Sequence, residues 1–509
     1  MRALPILLLL STASASAAAA QTTVEHGRRY GRLLIKDVFV VDGNGTPPRG
    51  PTSVIVEQDR IARVGGPSRP SEFDAILDGE GRYLMPGMVN LHGHLQDGRP
   101  RSSVAMPFAF QLDLWLASGI TTVRDVGSDR TKAKALRAAS AAGEIAAPRI
   151  LLYMVISAET PEQAVREVER VQAEGGDGIK ITGMDRAPLR ALLARAAELD
   201  LPVAHHVGVE ETDVWDDVAG GTRTIEHWYG VPDAALPYGS QGFPPDYVYT
   251  NEVDRFRWAG RLWKEADPER LSRVLQAMVD AGIAWDPTLT IYVAARDVTR
   301  AQNQPWFEDY LHPALEEFFE PSLASHGSFF LGWTTEDEIE WKRNYDVWFA
   351  ALREFAERGG VIGTGEDAGF IYQVYGFGFV RELELHQEAG FHPLDVVKHA
   401  TGNGAAILGL EDEIGRVKAG WKADLVLVNG NPLANFKLLY PSGTRVVGED
   451  GESRIGGRVA WTIKDGICYD GEILRAEARR FVREAREEKA RRAEESAAGD
   501  AVGPGGSDR

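Results

Sequence analysis

The chain has 509 residues, 44% of them hydrophobic and 26% charged, the balance of a folded globular protein. That length exceeds one ordinary domain and suits a barrel of roughly 250 residues or more with a second domain attached. The formal net charge of −19, unbroken by any basic run, argues against nucleic acid as a partner.

Met1-Arg-Ala-Leu-Pro-Ile-Leu-Leu-Leu-Leu10 places one cation before a short apolar run, and Ala18-Ala-Ala20 precedes Gln21. This reads as a signal peptide over residues 1–20, not a membrane span. No other run is apolar enough for a membrane helix. Cys468 is the single cysteine, so no intrachain disulfide forms. Export to a bacterial periplasm or medium is the expectation.

Residues 21–84 carry short alternating segments, among them Arg32–Val41, Thr52–Glu57, Arg60–Val64 and Ala75–Asp78, separated by Gly, Pro and Asp turns. This is an all-β pattern. So few residues cannot bury a core alone and need a partner. From Met85 the pattern changes to strands alternating with helices. Candidate strands are Gly87–Leu91, Thr121–Arg124, Arg149–Ile156, Gly178–Thr182, Pro202–Val207, Arg223–Trp228, Ala284–Thr290 and Val361–Gly365. The helix over Pro161–Ala173 starts well, with Thr160 as cap and Pro161 in the first position, and Arg186–Glu198 is a second. Eight such units over 85–404 predict an α/β fold, a (β/α)8 TIM-like barrel. Two connections, 229–283 and 291–360, are too long for plain loops. They hold most of a tryptophan cluster: Trp258, Trp263, Trp285, Trp306, Trp333, Trp341 and Trp348, seven of the twelve in the chain. These either pack the extra helices or wall the cleft, and one or two are expected at the cleft. After helices at Phe379–Ala389 and Pro393–Thr401, β pattern returns over 405–475, at Arg416–Gly420, Ala423–Val428 and Gly457–Ile463. The two chain ends are expected to combine into one composite β-sandwich. Residues 476–509 read as a charged, solvated helix running into a disordered tail.

His92 and His94, spaced i, i+2 on the first strand, face one side and can serve one cation. Further strand ends add Lys180, then His205 and His206, His227, and Glu366 with Asp367. Five of the eleven histidines therefore fall at strand ends on one face. Taken singly, each has an ordinary structural explanation: a lysine pairs with an acid, and an Asp between glycines makes a turn.

The order of these residues resembles the amidohydrolase superfamily, most closely a secreted branch similar to imidazolonepropionases and prolidase-like dipeptidases. The resemblance rests on Met85-Pro-Gly-Met-Val-Asn-Leu-His-Gly-His94, Gly119-Ile-Thr-Thr-Val-Arg-Asp-Val-Gly127, Gly178-Ile-Lys180, Thr224-Ile-Glu-His227, Glu366-Asp-Ala-Gly369, Ala400-Thr-Gly-Asn403 and Gly420-Trp-Lys-Ala-Asp-Leu-Val426, across nearly all of residues 30–475. It implies the barrel plus composite sandwich. It also implies metal ligands at His92, His94, Lys180, His206, His227 and Asp367. Two Zn2+ ions would be bridged by a carboxylated Lys180, and Asp367 would act as catalytic base and acid. His206 is preferred to His205 on register. The implied activity is hydrolysis of an amide or peptide C–N bond in a dipeptide, N-acyl amino acid or similar small molecule. A cyclic amide or lactone, or a non-catalytic binding role on the same fold, are the alternatives. Two departures stand out: Trp228-Tyr-Gly follows the sixth-strand histidine, and Gly-Glu-Asp replaces Gly-Thr-Asp, which makes Glu366 a rival ligand. Tyr229 and Arg124 are candidates for binding substrate. No membrane span is expected, and a homo-oligomer is compatible with the chain.

Overall fold

The computed structural model describes residues 23–207, 211–237, 251–323, 326–448 and 450–501. The expected signal peptide lies outside them.

Both ends of the chain build one continuous eight-stranded sheet. The N-terminal part supplies Arg28–Arg29, Arg32–Val40, Arg49–Glu57, Arg60–Val64 and Ala75–Pro86; the C-terminal part supplies Leu425–Val428, Val459–Lys464 and Ile467–Asp470. The halves join at Ala75–Pro86, which runs antiparallel to Leu425–Val428 with Met85 opposite Val426. A second seam pairs Arg28 with Cys468. Strand alternation sends Leu33, Ile35, Val54, Val56, Leu425, Leu427 and Ile463 into a shared core. Leu34, Ile55 and Phe73 form a smaller cluster of their own. Neither chain end could bury that apolar set without the other. Arg416–Gly420, expected as a strand, is irregular; its Gly420 N–H bonds the Ile61 carbonyl at 2.8 Å. Turn geometry won there over the alternating pattern.

Ala75–Pro86 leads directly into the first barrel strand, Met88–Gly93. Seven parallel strands follow one another around the barrel: Met88–Gly93, Ile120–Asp125, Arg149–Ile156, Gly178–Ile181, Val203–His205, Thr224–Glu226 and Ala284–Asp286. The eighth segment closes the ring without forming a full ladder. Ile362 bridges Trp285 in parallel, Leu91 N–H bonds Thr364 O at 2.9 Å, and Asp367 N–H bonds His92 O at 2.9 Å. Outer helices start where caps demand it. Thr160 accepts from Gln163 N–H with Pro161 in the first turn, and Asp129 accepts from Lys132 N–H.

The long connections add the helix Glu252–Glu265 after strand six and several short helices between strand seven and the long helix Thr335–Glu357. Their tryptophans mostly pack helix on helix. Trp263, Trp285, Trp341 and Trp348 are fully buried, and Trp263 stacks between Trp285 and Trp348 with centroids 6.3 and 6.2 Å away.

The C-terminal helix, Gly471–Ala501, is docked rather than solvated over its first turns. Leu474, Ala478, Val482 and Ala485 are buried, a narrow i, i+4 stripe inside a highly charged sequence. Arg479 bonds the Tyr310 hydroxyl at 2.8 Å, and Arg486 bonds the Glu308 carbonyl at 2.6 Å. Asp113, on the helix Phe108–Ala117, is buried. Burial, with Glu477 adding to it and Arg480 opposing, pushes its carboxyl up to about 7. A carboxyl raised on folding favours the protonated form, so stability falls as pH rises from about 4 through 7. Asp113→Asn is therefore expected to raise stability at pH 8 by about 1–3 kcal/mol, with little gain at pH 4. Thermal melts at the two pH values measure it; equal shifts at both would contradict it.

Candidate functional site

The C-terminal ends of the strands open into a cavity of about 430 Å³ whose lining includes His92, His94, Lys180, His206, His227, Tyr229 and Asp367. The six residues expected as ligands and Tyr229 thus share one cavity; Arg124 and the rival ligand Glu366 are absent from its lining.

Each element aims its side chain for a local reason. His92 and His94 sit two apart at the end of strand one and turn the same way. Their rings lie 5.4 Å apart. At strand five, alternation separates the adjacent histidines. His206 enters the cavity, while His205 is fully buried and holds Asp217 through Nδ1 at 2.8 Å. His227 and Asp367 both have left-handed backbones, φ 60° and 47°. Non-glycine residues held there store strain on the order of 1–3 kcal/mol, a pattern common at functional sites.

The imidazoles are anchored by one nitrogen and presented by the other. His92 Nδ1 lies 2.8 Å from Glu226 Oε2, His94 Nδ1 bonds the Gly127 carbonyl at 3.1 Å, and His227 Nδ1 meets Thr288 Oγ1 at 2.5 Å. The three Nε2 atoms then converge on Asp367: His94 at 3.1 Å, His92 at 3.8 Å and His227 at 3.9 Å. His206 packs 4.5 Å from the His227 ring and stacks on Tyr229 at 4.2 Å. Fixing a ring through one nitrogen while the other faces a common point is the geometry of metal-ligating histidines.

Protonation fits the same use. Burial drives His227 down to about 3 and His92 well below its ordinary value, leaving both neutral. Burial alone would raise the Asp367 carboxyl, but His92, His94 and His227 outweigh it and hold it well below the usual range. Lys180 is almost fully buried, and its Nζ has no hydrogen-bond partner among the described residues. Glu226 Oε2, at 3.8 Å, is its nearest acid. Burial lowers the amine to about 8, Glu226 opposing and Arg124 assisting. An amine so placed is short of a partner and partly neutral near pH 8. His92, His94 and Asp367 bring donor atoms within 4.8 Å of one another, as a divalent ion requires.

Two residues expected at the cavity face elsewhere. Glu366 is fully buried and turned away from it. Its carboxylate accepts from Asn90 Nδ2 at 3.1 Å, Gly376 N–H at 2.8 Å and Phe379 N–H at 2.9 Å, so it holds a helix start. Arg124 is fully buried inside the barrel. It grips both oxygens of Glu226, at 2.7 and 2.8 Å, and reaches Asp286 at 3.3 Å. The substrate-binding reading of Arg124 fails because barrel acids already occupy the guanidinium. His92, Glu226 and Asp286 also cluster closely enough for a cation, but Arg124 supplies the positive charge there. Removing one partner of a buried ion pair costs about 3–5 kcal/mol. Arg124→Met is therefore expected to lower unfolding stability by that amount, measured in urea; a rise in KM alone at wild-type stability would contradict it.

Glu226 and Thr288 were not anticipated as supports. Alternation along Thr224-Ile-Glu-His227 already sent Glu226 inward, but nothing local pointed to Thr288, which lies 61 residues from the ring it holds. The apolar wall is Val126, Tyr229, Phe256, Ile291, Tyr292, Phe370 and Ile371, with no tryptophan among the described lining residues.

A parallel barrel that presents imidazoles, a lysine and an aspartate at its C-terminal mouth defines a barrel protein with a candidate metal centre. The chain belongs to the amidohydrolase family, whose model matches residues 83–248 and 349–448. Imidazolonepropionase from Methylobacterium nodulans is 28% identical over 252 residues, 48% of this chain and 51% of that protein. The chain spans about half or less of the curated relatives it matches. A Xaa-Pro dipeptidase structure with methionine in its active site superposes with TM-score 0.61 at 19% identity, covering 86% of this chain and all of that one. A putative prolidase structure from Bifidobacterium longum gives TM-score 0.60 at 22% identity, covering 89% and 100%. At these identities the structural likeness establishes the fold.

Proposed function

We propose that the protein is a metal-dependent amidohydrolase that cleaves an amide or peptide C–N bond in a dipeptide, an N-acyl amino acid or a related small molecule. One observation carries this reading: three imidazoles, each anchored through Nδ1, turn Nε2 toward Asp367 beside the unpartnered Lys180 amine. His92, His94 and Asp367 would hold one divalent ion, His206 and His227 a second, and Lys180, carboxylated by carbon dioxide, would bridge them. Nitrogen and oxygen donors of this kind suit zinc. When bound, such ions lower the pKa of a shared water and polarise the scissile carbonyl. Asp367 takes the proton from the attacking water and returns it to the leaving nitrogen. Tyr229, in the cavity wall two residues past His227, orients the substrate carbonyl or carboxylate. The aromatic wall excludes water and favours an apolar side chain on the substrate.

The likeness to imidazolonepropionase favours a second reading, a cyclic amide or lactone as substrate at the same site. Among the described residues no helix is long and apolar enough to cross a membrane. We further propose removal of residues 1–20 on export. Metal analysis of the mature protein, followed by a panel of dipeptides, N-acyl amino acids, lactams and lactones, tests the reading. Two divalent ions per chain and turnover of an acyclic amide are expected. Turnover confined to cyclic substrates would shift the assignment to the second reading. Absence of metal and of all turnover would leave a binding protein on this fold.

A further inference from the structure

The turn after strand seven reaches the site twice: Thr288 holds His227 Nδ1, and Ile291 and Tyr292 line the cavity. Thr288 is β-branched yet left-handed, φ 42°, a conformation that persists only where its surroundings over-determine it. The 3-10 turn Leu289–Tyr292 follows it and begins with N–H groups that have no partner within the turn. Both go to one side chain. Glu382, on the helix Phe377–Glu388, accepts from Leu289 N–H at 2.9 Å and from Thr290 N–H at 2.6 Å. Glu382 is fully buried. Among the described residues its one ion-pair contact is His386 Nε2 at 3.2 Å, and burial keeps that imidazole neutral. His386 in turn meets His399 Nδ1 at 3.0 Å. Burial pushes the Glu382 carboxyl up to about 8, with the Leu289 and Thr290 N–H bonds pulling the other way, so those two bonds are what hold its place in the core. The same helix is tied to strand eight, because Glu366 beside Asp367 accepts from Gly376 and Phe379 at its start.

We propose that Glu382 is a positioning residue: by clamping the Leu289–Thr290 amides it holds Thr288 in its strained state, and so fixes the His227 imidazole and the Ile291–Tyr292 wall. The proposal rests on the reading of His227 as a ligand. A glutamine at 382 offers one acceptor oxygen, and its amide group opposes the second N–H.

The test uses the full-length protein with Glu382→Gln, Glu382→Asp (one methylene shorter, should the first not fold), and Glu384→Gln as control. Glu384 lies on the same helix and binds the Tyr440 hydroxyl instead. Hydrogen exchange of metal-free protein is followed by mass spectrometry over residues 286–293. Exchange is expected to speed up about tenfold or more there in the Glu382 variants, with Leu425–Val428 at the wild-type rate and the control unchanged. Cobalt titration is expected to show one of two equivalents weakened about 10–100-fold. Wild-type exchange over 286–293, acceleration spread along the chain, or the same change in Glu384→Gln overturns the clamp. Local acceleration with both cobalt equivalents at wild-type affinity overturns its link to His227. If wild-type protein binds no cobalt, the ligand reading falls, and the exchange measurement still decides the clamp.

Discussion

Asp367→Asn is expected to lower kcat by about 10²–10⁴-fold, the range set by loss of a positioned proton acceptor. The substitution keeps the shape and the His94 contact and removes the negative charge. That charge is the most constrained in the cavity: three imidazoles hold the carboxyl well below its usual range even though burial opposes it. Its main-chain N–H is fixed by His92 O at 2.9 Å, and its backbone is left-handed, so the side chain has little room to swing away. Asparagine also tolerates the left-handed region, so the fold should survive and thermal melts should shift little. The assay is steady-state hydrolysis at saturating metal, with bound metal quantified in the same sample. Wild-type turnover with metal retained would remove Asp367 from proton transfer. Loss of turnover only in step with loss of metal would assign it to ligation alone.

Period-two alternation and strand order made the cavity legible from the chain. The order of strand ends puts His92 with His94, Lys180, His206, His227 and Asp367 on one face, and it puts His205 and Glu366 there too, although these turn elsewhere. Of the adjacent pair, His206 lines the cavity and His205 is turned onto Asp217. Contacts that depend on what stands opposite were not legible. Arg124 looked available for a substrate carboxylate because a strand-end arginine shows nothing of the acids across the barrel, Glu226 and Asp286. Glu366 reads as a rival ligand because Gly-Glu-Asp replaces Gly-Thr-Asp, but nothing local shows that Asn90, Gly376 and Phe379 take up its carboxylate. The tryptophans illustrate the same limit. The sequence places most of them in the long connections, but they pack against neighbouring helices and strand seven, with Trp306 against Phe377 and Tyr440, and the wall fell to Tyr229, Phe256, Tyr292 and Phe370. The C-terminal helix was hidden by charge: a four-residue apolar stripe is enough to dock it when arginines on either side find carbonyls and a tyrosine.

Lys180→Met is expected to move stability and function in opposite directions. Methionine matches the length of the lysine stem and removes the amine. In the metal-free protein that amine is buried without a hydrogen-bond partner among the described residues, and desolvation holds it down to about 8. Burying such a group unsatisfied costs about 1–3 kcal/mol, so the metal-free variant should be as stable as wild type or more so at pH 7. Glu226 keeps its two bonds from Arg124 and its contact with His92, and is not orphaned. Function should behave otherwise. Without the bridging carbamate proposed here, metal affinity should fall about 10–100-fold or further, since even a supporting residue commonly costs that much, and hydrolysis should fall with it. Urea unfolding of the metal-free proteins, metal titration and a 13C spectrum of wild type equilibrated with labelled bicarbonate together decide the matter. A carbamate resonance in wild type that is missing in Lys180→Met is the expected signature. A metal-free variant less stable than wild type would show that Lys180 is a structural cation paired with Glu226. Equal metal affinity in the two proteins would show that the ions, if bound, do not need it.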